Sequence, residues 1–261
     1  MSHRQLKNKP LVEATLEILW SLPDQSAPGI KSDPHYKMLL GRFYERVMRT
    51  YPQHDTLPAA SLPEAMVAHK EQYSFRVAPG KYPLLQIGPG ILSVHERSDY
   101  TWDDFLVRSS DALLKLIEAY PRGGDLEIES LRLHYLDAVA FDYTRENVFD
   151  FLRDKLKTRV ELPEDLFVGT HVRKRPTHFT WEASFDEDVP KGDIVVRFQT
   201  GYRKSSPALL WETIVESDKR QLPPLPDQFE SWMTQAHTLS EDWFFKLIAG
   251  DLERKFAGEA G

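Results

Sequence analysis

The strongest constraint on the fold is a chain reversal within LLQIGPGILSV, residues 84–94. Proline presets φ for the first central position of a turn, and glycine accepts the positive φ of the second. A bend at Pro89 and Gly90 places four apolar side chains on one face: Leu85, Ile87, Leu92 and Val94. The segment therefore predicts two antiparallel strands joined by a loop of two residues or slightly more.

The GPG sequence at residues 88–90 also has the composition of a phosphate-binding loop. Such a loop needs a helix directly after it, so that the helix N-terminus faces the anion. The residues that follow, ILSVHE, have the pattern of a second strand. We therefore interpret GPG as the bend of a hairpin, and the chain has no other motif typical of cofactor binding.

Hydrophobic periodicity predicts the other elements. Strands are expected at residues 11–20, at 73–77 and at 126–142, the last with a bend near Ser130. A three-stranded meander is expected over 179–216. The residues of its first strand that are predicted to be buried are Phe179, Trp181, Ala183 and Phe185. Amphipathic helices are expected at residues 39–48, 101–120, 144–160 and 227–256, the last with a capping box of Asp227 and Glu230. Residues 53–72 are predicted to be a loop with at most a short helical turn.

This order of elements lacks the regular βαβ alternation of a parallel sheet. It predicts an α+β fold, in which amphipathic helices pack on one face of a largely antiparallel sheet. We expect one domain over residues 1–261, with an alternative division into two similar meander-plus-helix halves, 1–142 and 143–261.

Composition narrows the classes of function. The chain of 261 residues has a formal net charge of −7 and no cysteine, which excludes disulfides and thiolate zinc sites and disfavours a protein coated in nucleic acid. Glu13 and Glu17 interrupt the N-terminal apolar segment, and no run of about 18 apolar residues occurs. We therefore expect a cytoplasmic protein without a membrane segment.

The candidate catalytic residues are Arg132, His134 and Asp137 in the strand LRLHYLD. Arg132 and His134 share one face of that strand, and Asp137 is close in sequence. They are interpreted either as a polar cleft for acid-base chemistry or as a solvated face with a salt bridge. No HxH or HExxH spacing accompanies them, so no metal site and no cofactor are expected.

Two further segments are candidate partner-binding sites. The last helix carries more aromatic residues than packing on a sheet requires, and the candidates there are Trp232, Trp243 and Phe244. The basic run Arg173, Lys174 and Arg175 is a candidate contact for phosphate or for an acidic protein. For each segment the alternative is structural: internal packing for the helix and a solvated loop for the basic run.

Several stretches of the chain resemble an uncharacterised, sporadically distributed family of bacterial proteins of similar length. They are KPLVEATLEILW, LLQIGPGILSVHERSDYTWDDF, LRLHYLD and AHTLSEDWFFKLIAGDLERKF. The chain departs from the family pattern at His134, where the family has Arg, and at Asp137, where it has Asn. The resemblance implies no established activity, and the family's distribution is compatible with a defence or mobile-element role.

The sequence thus favours a non-catalytic binding or accessory protein that recognises a macromolecular partner, or its own copies, through the sheet and the aromatic C-terminal helix. An enzyme with a cleft around Arg132, His134 and Asp137 is the alternative. Nucleic-acid binding through residues 173–175 is a second alternative, which the sequence favours less.

Overall fold

The computed structural model describes residues 6–24, 31–97 and 99–259. Residues 25–30, within a segment rich in Pro, Gly and Ser (21–34) that predicts a loop, lie outside these residues. The strands are β1 (Leu11–Trp20), β2 (Gln53–Thr56), β3 (Tyr73–Arg76), β4 (Leu84–Gly88), β5 (Ile91–Glu96), β6 (Ile128–Ala140), β7 (Thr180–Asp188), β8 (Lys191–Arg203) and β9 (Ser206–Asp218). The helices are α1 (Tyr36–Val47), α2 (Trp102–Ala119), α3 (Val148–Lys155), α4 (Phe229–Ile248) and α5 (Asp251–Ala257).

In the described residues, the strands form one antiparallel sheet in the order β2-β3-β4-β5-β1-β6-β9-β8-β7. This confirms the predicted α+β class. Each half of the chain begins with a strand that lies at the centre of the sheet, followed by a helix, a run of hairpin-connected strands and a closing helix. The order of elements thus repeats from β6 onward, and we call the parts before and after that point the two halves. The division of the chain into domains stays a prediction.

The helices pack on one face of the sheet. Apolar side chains of that face, including Leu16, Leu133 and Val215, form one core with residues of α1, α2 and α4. A second cluster joins Phe198 and Trp211 to α3 and α5. Among the residues that the structure describes, no helix lies on the opposite side of β1, β6, β7, β8 and β9, and we call that side the open face.

The predicted hairpin is confirmed in detail. Ile87 lies opposite Leu92 and Leu85 opposite Val94, and β5 begins directly after the two-residue turn. Gly90 has φ of +82°, as the predicted turn requires. No helix follows Gly90, so the phosphate-loop geometry is not present there.

Residues 57–72 cover the open-face side of this hairpin. The His69 amide donates to the Pro89 carbonyl at 2.8 Å, and the Ser93 hydroxyl donates to Glu71 at 3.2 Å. A Cβ on Gly88 would lie 1.9 Å from the backbone oxygen of Lys70. Gly88 is therefore needed for close approach of two backbone segments rather than for anion binding.

Four sequence predictions are wrong. Residues 53–56 form edge strand β2, whose side chains are all exposed and so carry no apolar alternation. The last helix breaks at Gly250, where φ is +105°, and continues as α5. Its N-cap is Gln228 without a side-chain bond, so Asp227 does not cap it. Phe185 is 47% exposed because β7 is the outermost strand.

We predict opposite effects for two glycine substitutions. Gly88→Ala should lower the free energy of unfolding by about 1–3 kcal/mol, because the new methyl group overlaps rigid backbone. Gly41→Ala on α1 meets no atom within 4 Å and should raise it by roughly 0.5–1 kcal/mol. Urea unfolding of the parent and both variants measures this, and a Gly88→Ala protein as stable as the parent would contradict the close approach at Lys70.

Candidate functional site

The three candidate catalytic residues lie on β6, at the centre of the sheet, but do not form one site. Arg132 and His134 point to the open face, whereas Asp137 lines a cavity on the helix-covered face. The strand pleat separates them, because residues an odd number of positions apart take opposite faces. The polar cleft expected around all three residues is therefore not present.

Arg132 is held by two carboxylates. Its Nη1 donates to Glu17 at 2.9 Å, and its Nε and Nη2 donate to the two oxygens of Glu216 at 3.1 and 2.9 Å. Burial alone would lower the pKa of Arg132, but the hydrogen bonds and charges of these carboxylates raise it overall. Arg132 therefore stays charged and holds three neighbouring strands together.

His134 belongs to a second ion-pair group on the open face. Its Nε2 lies 3.1 Å from Glu212, which also accepts from Arg197 at 3.0 Å and from Gln199 at 2.9 Å. Burial would raise the pKa of Glu212, but His134 and Arg197 outweigh burial and lower it. Glu212 is therefore ionised at neutral pH. Both groups match the salt-bridged face that was the alternative to a catalytic cleft.

Asp137 borders a cavity of about 210 Å³ on the helix-covered face. The cavity lies between β6, the start of α2, the middle of α4 and the segment before β1. Its principal lining residues are Tyr100, Trp102, Tyr135, Asp137, His237 and Phe244. A concave, mostly apolar space with a few polar groups is the usual form of a ligand site.

A chain of hydrogen bonds fixes one wall of the cavity. The hydroxyls of Tyr100 and Tyr135 lie 2.8 Å apart, and the Tyr135 hydroxyl lies 2.9 Å from Nδ1 of His237. The Trp102 ring stacks on His237 with centroids 3.9 Å apart and planes at 9°. Burial raises the pKa of both tyrosines, so both hydroxyls stay protonated and maintain this chain of hydrogen bonds.

Asp137 is the most perturbed carboxyl of the cavity. It is 4% exposed. Burial raises its pKa to about 8, and the charge of Arg203 offsets this only in part. A carboxyl in this environment is largely protonated at neutral pH and ionises when a cation approaches.

Of the aromatic candidates on α4, Trp232 packs inside the protein. It is 2% exposed, and its Nε1 donates to the Ser217 hydroxyl at 2.7 Å. Trp243 and Phe244 are partly buried. Trp243 contacts Phe185 of the edge strand with centroids 5.6 Å apart, and Phe244 lines the cavity. The aromatic stripe is therefore divided between the core, the sheet edge and the cavity.

The basic run lies in the long connection between α3 and β7. Arg173 and Lys174 are exposed, and Lys174 forms an ion pair with Glu164. Hydrogen bonds from Thr144 lower the pKa of Asp142, and the charge of Arg175 makes a smaller contribution in the same direction. Acidic neighbours thus offset part of this charge, and phosphate binding there stays a prediction.

Sequence reasoning missed the cavity because its walls come from four separated segments. The two-residue spacing from Tyr135 to Asp137 could have assigned Asp137 to the helix-covered face, because residues i and i+2 of a strand share a face. No signal linked it to His237, which is 100 residues away in the chain. Among the described residues, no three His, Asp or Glu side chains are placed to hold a metal ion, and no helix is long and apolar enough to cross a membrane.

Comparison with protein-family models finds no family that matches this chain. Comparison with curated proteins finds no matching sequence. The resemblance to a bacterial family therefore stays a prediction, and the site has to be argued from its own geometry.

We predict that Asp137 makes stability depend on pH. The folded protein keeps this proton up to about pH 8, whereas the unfolded chain releases it near pH 4. Stability is therefore lost as the pH rises between these values, by at most about 1.4 kcal/mol per pH unit. Asp137→Asn, which is neutral and of similar shape, should lack this loss.

Chemical unfolding between pH 5 and 8.5 tests this. The variant should gain stability relative to the parent as the pH rises. Asp150→Asn, on the exposed side of α3, is the matched control and should follow the parent. Parallel profiles of Asp137→Asn and the parent would show that the carboxyl is not held in its neutral form.

Proposed function

We propose that this is a non-catalytic bacterial binding protein of the cytoplasm that takes a protein partner with a basic surface on its open face. The observation that carries the proposal is the sheet itself, of which helices cover one face only. On the open face, the five strands present a continuous surface made of both polar and apolar side chains. None of the helices in the described residues packs on this surface.

Carboxylates outnumber cations on the open face. By strand alternation the acidic residues are Glu13, Glu17, Glu182, Asp186, Asp188, Asp193, Glu212, Glu216 and Asp218. The basic or titratable ones are Arg132, His134, Lys191, Arg197 and Arg203, with His95 and Arg97 at the border with β5. This excess favours a partner rich in Lys or Arg and disfavours nucleic acid, whose phosphates it would repel.

One pair of carboxylates is placed unfavourably for the free protein. Asp186 and Asp193 lie directly opposite each other on β7 and β8. Burial raises the pKa of Asp193, and the charges of Asp186 and Glu216 raise it further. Like charges in this position destabilise a sheet. A cationic side chain of a partner would remove that repulsion.

Apolar side chains lie between the charged groups. Leu136 and Val195, which are partly exposed, and Ile214, which is buried, are on the open face of three adjacent strands, and each is outside the two helix-packed cores. An apolar centre with a charged rim is the usual composition of a protein interface. Arg132 and His134 are both held by carboxylates, which supports binding rather than acid-base catalysis on this face.

The test removes two negative charges from the open face, at a position where their removal should not destabilise the folded protein. Asp186→Asn with Asp193→Asn abolishes the repulsion, so stability should stay equal or rise by a few tenths of a kcal/mol. The matched control is Asp111→Asn with Glu118→Gln, which removes two exposed carboxylates from α2 on the other side of the sheet. The measurement is capture of partners from a native bacterial lysate, with light scattering to detect self-association.

The parent and the α2 control should retain the same basic protein, and the double-Asn protein should lose most of it. The captured complex should weaken as salt rises, because the charges are exposed. A strict monomer that retains no partner, or capture that the double-Asn protein preserves in full, would contradict the proposal.

A further inference from the structure

The cavity beside Asp137 lies on the opposite side of the sheet from the proposed partner surface. We infer that this cavity binds a small organic cation: a primary or methylated ammonium group on a short apolar body. The inference does not depend on a partner at the open face.

Aromatic residues supply the walls that such a cation needs. Tyr100 and Trp102 line one side, and Phe244 and Phe245 of α4 line the other. The two phenylalanine rings meet edge to face with centroids 5.2 Å apart. Aromatic faces attract ammonium groups through the ring quadrupole, and the attraction is strongest where water is excluded.

The charges around the cavity favour a cation. Three carboxylates border it from three different elements: Asp103 on α2, Asp137 on β6 and Glu241 on α4. Lys9 is also at the border, where its Nζ donates to the Tyr100 carbonyl at 2.8 Å. An anionic ligand would meet this excess of carboxylates, whereas an ammonium ion would reduce their repulsion.

A second buried group can bind the ligand directly. Ser240 is 3% exposed and lines the cavity, and its hydroxyl has no hydrogen-bond partner among the residues that the structure describes. A buried polar group without a partner destabilises the folded protein, because it has lost its hydrogen bonds to water. A ligand N–H donating to this oxygen, or a ligand hydroxyl, would remove that destabilisation.

The size of the cavity limits the ligand. A space of about 210 Å³ is smaller than the roughly 300–1,000 Å³ of sites for drug-sized molecules. It suits a compound the size of choline or butylammonium.

The bound cation should ionise Asp137. Binding would then release a proton below about pH 8, and affinity should rise by about tenfold per pH unit below that value. The other titratable and charged groups facing Asp137 or the cavity are Lys9, Tyr100, Asp103, Tyr135, Arg203, His237 and Glu241. A neutral ligand that accepts from the protonated carboxyl would show the opposite pH dependence.

The experiment is isothermal titration calorimetry of the full chain at pH 6.5 and pH 8.5. The probes are choline, butylammonium, the neutral choline isostere 3,3-dimethylbutanol, and butyrate. Choline or butylammonium should bind at least about tenfold more tightly at the higher pH, with proton release in buffers of different ionisation enthalpy. The neutral isostere and butyrate should bind at least about tenfold more weakly than the cations.

Asp137→Asn should lose at least about tenfold of the affinity at pH 8.5 and lose the pH dependence. Asp150→Asn, the exposed control, should behave as the parent. Absence of binding by both cations at millimolar concentration would overturn the inference. So would equal binding of the neutral isostere, or full affinity in a folded Asp137→Asn protein.

Discussion

The antiparallel pairing of β1 with β6 is the interaction on which the rest of the structure depends. It joins the first strands of the two halves at the centre of the sheet, with Ala14, Leu16 and Ile18 opposite Tyr135, Leu133 and Leu131. All six side chains are on the helix-covered face and are at most 9% exposed. Because side chains alternate along a strand, this register also decides which residues of β6 face the open side.

The register divides the polar residues of β6 between two environments. On the open face, Arg132 is ion-paired with Glu17 and Glu216, and Nε2 of His134 lies 3.1 Å from Glu212. On the covered face, Asp137 is removed from water beside a cavity, and burial rather than a charged neighbour dominates its pKa. Arg132 and Asp137, five positions apart on one strand, therefore differ in their surroundings: Arg132 is charged and paired with carboxylates, whereas Asp137 is buried.

Much of the fold could be predicted from local patterns. The hairpin at 84–94, the long strand of β6, the three-stranded meander and the capped helix after Thr101 follow from alternation, turn residues and capping, which act between near neighbours in the chain. Strand β2 could not be predicted, because an exposed edge strand has no apolar face. The break at Gly250 falls within an apolar stripe that continues on both sides, so periodicity could not reveal it.

The sequence by itself determined the class of fold and the hairpin register, and it named Asp137 only as part of a polar cleft with Arg132 and His134. Only the tertiary structure decided which face each polar side chain takes, and that α4 brings His237 and Ser240 to the cavity. The physical reason is the distance along the chain over which each kind of interaction acts. Alternation and turn chemistry act over a few residues. The cavity is lined by segments as far apart in the chain as Leu6 and Phe245, and it depends on the packing of the helical layer on the sheet.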